Sequence, residues 1–507
     1  MRPDIVLVMV DQLAARWLER AFEGVVAVPN LRRLAESGVR FANAFTPNPV
    51  CSPARASIAT GLSSQGHGVT ECGYRLSPDV PTFMHALQGA GWRTGAFGKL
   101  HFQPQLAGVR PDYRPYGFEV TRISEDPRAG EWLDWVRRVH PAHYRAAQAT
   151  VWMTMIPELA DYGPEHTDLA EEIRRAREYY PQTAGEAYPL PFPAEVSQTA
   201  WITGRARDFI RETPVDTPLF AQVSYVQPHN PFTPPQEYVP LVCEALIPEP
   251  VGAEWQDDAR VPYFAQERYA RPSYDIADWK RDRKLYFADL AHLDHELGVL
   301  LDCLDETGRL ARTHVIFTSD HGELLHDHGL LGKWERHYDP CIRVPLIVRG
   351  PGVEPGVRTD LVDLCDLAPT VFDLAGLPQP VLPKPDLGRP YEPDTLPRFA
   401  GRSLFASSSE SEPRDAVYIQ SNNNHWSATP GNWARTLRTA RYRYTSFLAG
   451  GGEQLFDLER DPDEQHNLAG RPESEWIQRD LRDRLFERIA LEGYPNSPRG
   501  LFGIGTW

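Results

Sequence analysis

Ile5-Val6-Leu7-Val8-Met9-Val10-Asp11-Gln12 is the stretch from which the fold can be read. Its apolar part has no strict polar alternation, which suits a strand covered on both faces, as in a parallel sheet. Two polar residues follow at once, at the carboxyl end of that strand. Leu219–Val226, His314–Thr318 and Val344–Val348 are runs of the same kind. Between them lie helical patterns. Pro29–Gly38 has apolar residues at 31, 34 and 35 with Gly38 as the stop. Lys284–Thr307 carries apolar residues at 285, 287, 290, 293, 297, 300, 301 and 304 and ends at Gly308. Alternating strand and helix signals predict an α/β fold, a large, mostly parallel sheet flanked by helices.

The chain has 507 residues, enough for two domains. We expect a catalytic domain over residues 1–400. Within it, about 103–200 is rich in Trp, Tyr, Arg and Pro and reads as an insertion beside the sheet, with helices near 130–155 and 166–180. Residues 376–400 are proline-rich and polar, a connection. Residues 401–492 read as a smaller C-terminal α+β subdomain. Asp415–Gln420, Arg435–Phe447 and Glu453–Leu458 would be its short antiparallel strands and 473–492 its helix, with apolar positions at 476, 477, 481, 485, 489 and 491.

A net charge of -16 argues against nucleic acid or an anionic membrane as the main partner. No run reaches membrane-spanning length. The first strand starts at Ile5, with no leader-like pattern before it. Six scattered cysteines (51, 72, 243, 303, 341, 365) show no zinc-like pairing or dense disulfide pattern. The expectation is a reduced, cytoplasmic setting.

The polar residues that carry chemistry fall at strand ends. Asp11-Gln12 follows the first strand, Lys99 and His101 close the run Thr94–Gly98, His229 follows Leu219–Val226, and Asp320-His321 follows His314–Thr318. Ligands of open α/β sheets bind beyond the carboxyl ends of the strands. One such residue alone is more often a turn or cap residue, and a single histidine more often structural. Four segments of this kind can converge on one site.

Further segments make the pattern specific. Cys51-Ser52-Pro53-Ala54-Arg55 stands between strands, followed by Thr60-Gly61-Leu62. Gly98-Lys99-Leu100-His101, Gln227-Pro228-His229, Ser319-Asp320-His321-Gly322-Glu323 and Gly332-Lys333-Trp334 come in that order. Near the end stand Leu455-Phe456-Asp457-Leu458, Asp461-Pro462 and Asn467-Leu468. The chain thereby resembles the formylglycine-dependent sulfatases of the alkaline-phosphatase-like superfamily. Cys-x-Pro-x-Arg is the family's signature for oxidising a cysteine to formylglycine. The resemblance implies that Cys51 is so converted by a formylglycine-generating enzyme and that its hydrated aldehyde is the nucleophile. It implies a divalent metal held by Asp11, Gln12, Cys51, Asp320 and His321.

Hard oxygen donors with one nitrogen suit Ca²⁺ or Mn²⁺, with Mg²⁺ less favoured. Arg55 would bond the formylglycine hydroxyl or its metal shell. Lys99 and Lys333 would hold the non-reacting sulfate oxygens, His101 would tune the nucleophile and His229 would protonate the leaving oxygen. His67, His326, His328 and His337 read as scaffold or rim, His328 with slightly more weight for its place between Asp320 and Lys333.

Asp-Gln with Asp-His departs from the commoner two aspartates with asparagine. It resembles the choline sulfatase and phosphonate monoester hydrolase subgroup. The expected reaction is hydrolysis of a small-molecule, aryl sulfate-like monoester. A phosphonate monoester or phosphodiester hydrolase is the alternative, and a silent sulfate-binding protein the third reading. The alcohol part would meet the segment near 103–200, the 230–280 loops and Asn422–Trp426. The tail Gly493–Trp507 combines Tyr494, Leu501, Phe502, Ile504 and Trp507 with several breakers, and is expected to join subunits of a homo-oligomer.

Overall fold

The computed structural model describes residues 2–105, 111–152, 169–252, 278–333, 335–383, 395–397, 399–405, 413–422, 433–448 and 452–492. The tail Gly493–Trp507, Trp334 and most of the Asn422–Trp426 segment lie outside the described residues. Among the described residues no helix is long and apolar enough to cross a membrane.

The main sheet has nine strands: β1 Asp4–Val10, β2 Val39–Phe45, β3 Arg93–Gly98, β4 Val120–Ile123, β5 Leu219–Ser224, β6 Thr313–Ser319, β7 Arg343–Val344, β8 Leu346–Arg349 and β9 Gly356–Asp363. Their order is β4-β3-β5-β1-β6-β8-β2-β7, with β9 also on β2. From β4 to β6 every neighbouring pair is parallel. β8 then runs antiparallel to both β6 and β2, so the sheet is mixed. The expected strand Val344–Val348 is split at Pro345, which has no N–H for a ladder.

β1 explains why its sequence lacks alternation. Val6, Val8 and Val10 enter one core with the helices Ala15–Phe22, Gln198–Glu212 and Trp279–Glu306. Ile5, Leu7 and Met9 enter the other with the helices Cys51–Thr60, Phe83–Gly89 and Leu367–Ala375. Both faces are dry, so every position is apolar.

β2 was not anticipated. Its sequence VRFANAF is only partly buried along its length, which blurs the apolar signal. Residues 103–200 supply the edge strand β4 as well as the helices Glu131–Val139, Tyr144–Ala149 and Leu169–Tyr179. Gly38 is not the αL stop expected of it. The helix Pro29–Glu36 ends at Ser37, whose N–H donates to Arg33 O at 3.0 Å. Gly38 is instead a close approach, since a Cβ there would lie 2.4 Å from Val348 O.

A two-stranded ladder joins β10 Val381–Pro383 to β11 Thr395–Pro397. The C-terminal region holds an antiparallel sheet of β12 Ala416–Ser421, β13 Ala434–Thr439, β14 Tyr442–Phe447 and β15 Gly452–Asp457. The helix Glu475–Glu492 packs on it through Leu481 and Leu485. The segment Arg435–Phe447, read as one strand, is a hairpin with its turn at Ala440-Arg441. Trp476 and Ile489, read as part of the helix's apolar stripe, are 66% and 38% exposed.

One glycine fixes how the sheet's carboxyl edge is built. Gly98 ends β3 at φ 94°, and a Cβ there would lie 2.0 Å from Ser224 O, which accepts the Lys99 N–H at 2.9 Å. A side chain is excluded both sterically and by backbone conformation. Gly98→Ala should cost about 2–4 kcal/mol of unfolding free energy in chemical denaturation. An equal loss at the open site Gly204→Ala would show that the close approach is not the cause.

Candidate active site

The site grows from four strand ends. β1 delivers Asp11, fully buried, and Gln12, whose backbone turns to φ 68°. β6 delivers Asp320 and His321. Asp320 Oδ1 accepts from Gln12 N at 3.2 Å and His321 N at 2.9 Å, locking the two strand ends together. His321 Nδ1 donates to Gly322 O at 3.0 Å, which leaves Nε2 as the acceptor. That nitrogen lies 3.2 Å from Cys51 Sγ and 2.9 Å from Lys333 Nζ.

Cys51 is the first residue of the helix Cys51–Thr60, preceded by the extended Val50 and closed by Gly61 in the left-handed region at φ 67°. All of the helix is buried, and its N-terminus brings the positive end of its dipole to residue 51. Lys333 Nζ is 2.9 Å from Cys51 Sγ, and Asp11 Oδ1 is 3.9 Å from it. Burial by itself raises the thiol's pKa. A hydrogen bond with Cys72 and the ammonium groups of Lys333 and Lys99 overcome it and bring the pKa well below the ordinary value. In the oxidised residue a hydroxyl oxygen would stand where Sγ does.

Arg55 does not touch the Cys51 sulfur directly. Its Nε donates to Asp320 Oδ2 at 2.7 Å and its second terminal nitrogen to Asp11 Oδ2 at 2.9 Å. The remaining nitrogen reaches Lys99 O at 2.7 Å and Ser224 Oγ at 2.8 Å. Of the two partners anticipated for Arg55, the carboxylate shell is the one it holds. Lys99 Nζ lies 2.5 Å from Asp11 Oδ2 and 2.6 Å from Asp126 Oδ1. Burial lowers the Lys99 and Lys333 pKa values, but their anionic neighbours, Asp11 and Asp126 for the first and Cys51 and Asp11 for the second, raise both above the ordinary value. In return, burial and Cys51 push Asp11 up, while Lys99 and Lys333 hold it well below the usual carboxylate range.

The two histidines His229 and His101 are placed differently. His229 Nδ1 donates to Asn230 O at 2.5 Å, which leaves Nε2 for other work, and its ring meets Trp152 edge to face at 6.0 Å. Electrostatic interactions link it to Asp11 and Asp126. His101 is buried with φ 54°, and its N–H is held by Glu125 Oε1 at 3.1 Å. Its Nδ1 has no partner among the described residues.

The other four histidines weighed from the sequence have their partners elsewhere. His67 meets Ser57 Oγ at 3.0 Å, and burial lowers it to about 3. His326 pairs with Asp282, His328 stacks on Tyr338, and His337 bridges Thr436 and Ser421.

Four residues of the site went unread. Glu125 and Asp126 come just beyond β4, after Ser124, near the strand-end position that identified the others. They were hidden because that strand lies in a stretch read as an insertion. Ser224 is the last residue of β5, and Glu323 stood in a quoted motif without a role.

Asp11, Cys51, Asp320 and His321 offer ligand atoms within 4.8 Å of one another, all buried. Gln12, next in the chain to Asp11 and bonded through its backbone N–H to Asp320, has a buried Oε1 with no hydrogen-bond partner among the described residues. An orphaned carbonyl oxygen next to two carboxylates and an imidazole is what a divalent cation would satisfy. The residues therefore fit such an ion.

Comparison with known proteins agrees with this geometry. The sulfatase family profile matches residues 3–377, and that of the N-sulphoglucosamine sulphohydrolase C-terminal region matches 326–490. The choline-sulfatase of Rhizobium meliloti (strain 1021) is 29% identical over 491 residues, covering 93% of this chain and 83% of its own. The arylsulfatase of Clostridium perfringens (strain 13 / Type A) is 26% identical, covering 99% and 98%. The crystal structure of the phosphonate monoester hydrolase of Agrobacterium radiobacter shares the fold, with a TM-score of 0.75 at 24% identity over 97% of this chain and 96% of that one. A profile match spanning the whole sheet, with the signature cysteine at the centre of the buried cluster, places this chain in the sulfatase family.

Proposed function

We propose that this sulfatase hydrolyses the S–O bond of an aryl sulfate-like monoester, with residue 51, oxidised to formylglycine, as its nucleophile. The observation that carries the reading is the position of Cys51. Its side chain heads a buried helix, 2.9 Å from the Lys333 ammonium and 3.2 Å from His321 Nε2, inside a ready-made cation cluster. A cysteine that served only packing would not be ringed by two buried ammonium groups.

Asp11, Gln12, Asp320, His321 and residue 51 would hold the ion, with Ca²⁺ or Mn²⁺ best matched to the donors. When bound, it would supply Lewis-acid polarisation of a sulfate oxygen and of the nucleophile. Lys99 and Lys333 bind the remaining sulfate oxygens as fixed charges that need no rearrangement as charge develops. Their desolvation is offset by the carboxylates of Asp11 and Asp126. His229 delivers a proton from Nε2 to the leaving oxygen, its Nδ1 being committed to Asn230 O. His101, whose Nδ1 has no partner among the described residues, would tune the hydrated aldehyde. The second proton-bearing oxygen of that residue then lets the sulfated hemiacetal collapse and release sulfate, which a plain alcohol could not do.

The second reading, a phosphonate monoester or phosphodiester hydrolase, draws on the Asp-Gln and Asp-His pairs. The retained Lys99 and His101 favour the sulfate ester. We also propose that a formylglycine-generating enzyme matures the chain, that it works in the cytoplasm and that it forms a homo-oligomer through its tail. Light scattering before and after truncation at Glu492 should show a loss of subunits.

Cys51→Ala should abolish turnover of an aryl sulfate, and Lys333→Ala should lower it by roughly two to three orders of magnitude. Peptide mass spectrometry of active protein should find an aldehyde in place of the thiol at residue 51. A phosphonate ester turned over faster than the matched sulfate ester would reverse the order of the two readings.

Chelation should abolish activity, and the recovered rate should be higher with Mn²⁺ than with Ca²⁺, since Mn²⁺ accepts the His321 nitrogen more readily. Metal analysis and rates after readdition check this. Equal or better recovery with Ca²⁺ would refute the softer preference.

A further inference from the structure

Gln12 has an amide that could face its neighbours either way round. Only one orientation offers the metal cluster an oxygen. Which group decides the orientation is visible in the contacts of Glu323. This side chain is fully buried, in the turn just after Asp320 and His321. Its Oε1 accepts the backbone N–H of Leu325 at 2.8 Å and of Gly332 at 2.5 Å. Its Oε2 accepts the Gln12 Nε2 amide. A carboxylate can only accept, so the group of Gln12 that faces it must be the NH₂. Asn230 Oδ1, 3.5 Å from the same nitrogen, agrees, and Asn230 is itself oriented by donating to Glu186 at 3.1 Å. Oε1 is thereby left buried and without a hydrogen bond among the described residues.

We propose that Glu323 is a positioning residue that sets the amide of Gln12 with its oxygen toward the metal cluster, and that it holds the Lys333 loop in the same act. The inference rests on the reading of the cluster as a divalent-metal centre. Glu323 itself is not a ligand in it. The second function follows from Gly332, the residue before Lys333. The carboxylate that orients a ligand on one oxygen fixes the backbone of a sulfate-binding lysine on the other. The arrangement also accounts for glutamine at position 12. An acidic residue there would face Glu323 with a second acceptor and no hydrogen between them.

The chemistry predicts a paired substitution. Glu323→Gln keeps an oxygen for the Leu325 and Gly332 N–H groups but turns an NH₂ toward the Gln12 NH₂. Two donors cannot pair, so the Gln12 amide rotates and presents its own NH₂ to the cation. Combining Glu323→Gln with Gln12→Glu reverses donor and acceptor across the same contact and again leaves an oxygen for the ion. Chelator-stripped protein would be titrated with Mn²⁺ and, separately, Ca²⁺ by isothermal titration calorimetry, with thermal unfolding of each apo form as the check on folding.

Glu323→Gln should weaken binding about 10–100-fold, and the double variant should recover most of that loss. Unchanged binding in Glu323→Gln would overturn the assignment. A loss that the double variant does not recover would leave Glu323 a merely structural support and would also overturn it. If the unaltered protein binds neither ion, it is the metal-centre reading that fails, a result distinct from either of these.

Discussion

The Arg55 guanidinium holds the site together. It is fully buried, and its four hydrogen bonds go to Asp11, Asp320, the Lys99 carbonyl and the Ser224 hydroxyl. These acceptors stand at the ends of β1, β6, β3 and β5, which are consecutive neighbours in the sheet. One planar fork therefore sets the spacing of four loops that carry the chemistry. Arginine suits this because its donors diverge in a fixed plane and its charge survives burial. A charge so placed is costly to strand. Removing either carboxylate would leave it only partly compensated, and breaking a buried pair of this kind costs on the order of 3–5 kcal/mol.

The same arrangement resolves a tension in the charge of the chain. At a net -16 the protein repels anions at long range. Inside the cluster, Arg55, Lys99 and Lys333 are ion-paired with Asp11, Asp126 and Asp320, three cations with three carboxylates. A divalent cation among them would add positive charge where an anionic ester has to bind. Local basicity here comes from pairing plus an ion rather than from a patch of unpaired lysines.

Much of this was legible because a doubly covered strand writes itself as an unbroken apolar run. β1, β5 and β6 announced themselves in that way, and the residues after them were readable as site residues for the same reason. The failures also have physical causes. β2 carries Arg40 and Asn43 on partly exposed positions, so it lacks the signal. β4 is a four-residue edge strand within a stretch of mixed composition, and Asp126 vanished with it. Gly38 reads as a helix stop in sequence, since nothing local reveals that Val348 O passes where its side chain would be. The partnership of Gln12 with Glu323 is a contact across 311 residues, and only the fold brings it together.

The C-terminal sheet bears on the chemistry through the segment that follows Lys333. His337 is fixed between Thr436 and Ser421 at 2.7 and 2.8 Å. Tyr338 accepts from Gln454 at 3.0 Å and lies under the Arg443 guanidinium. Asp339 is held by Arg438, and its N–H donates to Glu464 at 2.8 Å. Three successive residues are thus tied to β12, β13, β14, β15 and the turn beyond them. A lysine on a long flexible stem makes a poor fixed charge unless its backbone is immobile, because the entropy of the stem is lost on binding. Glu323 holds the near side of this loop through Gly332, and the C-terminal sheet holds the far side. The ammonium that meets residue 51 is therefore supported from both sides of its loop, which is a physical reason for the second sheet to be packed against the first.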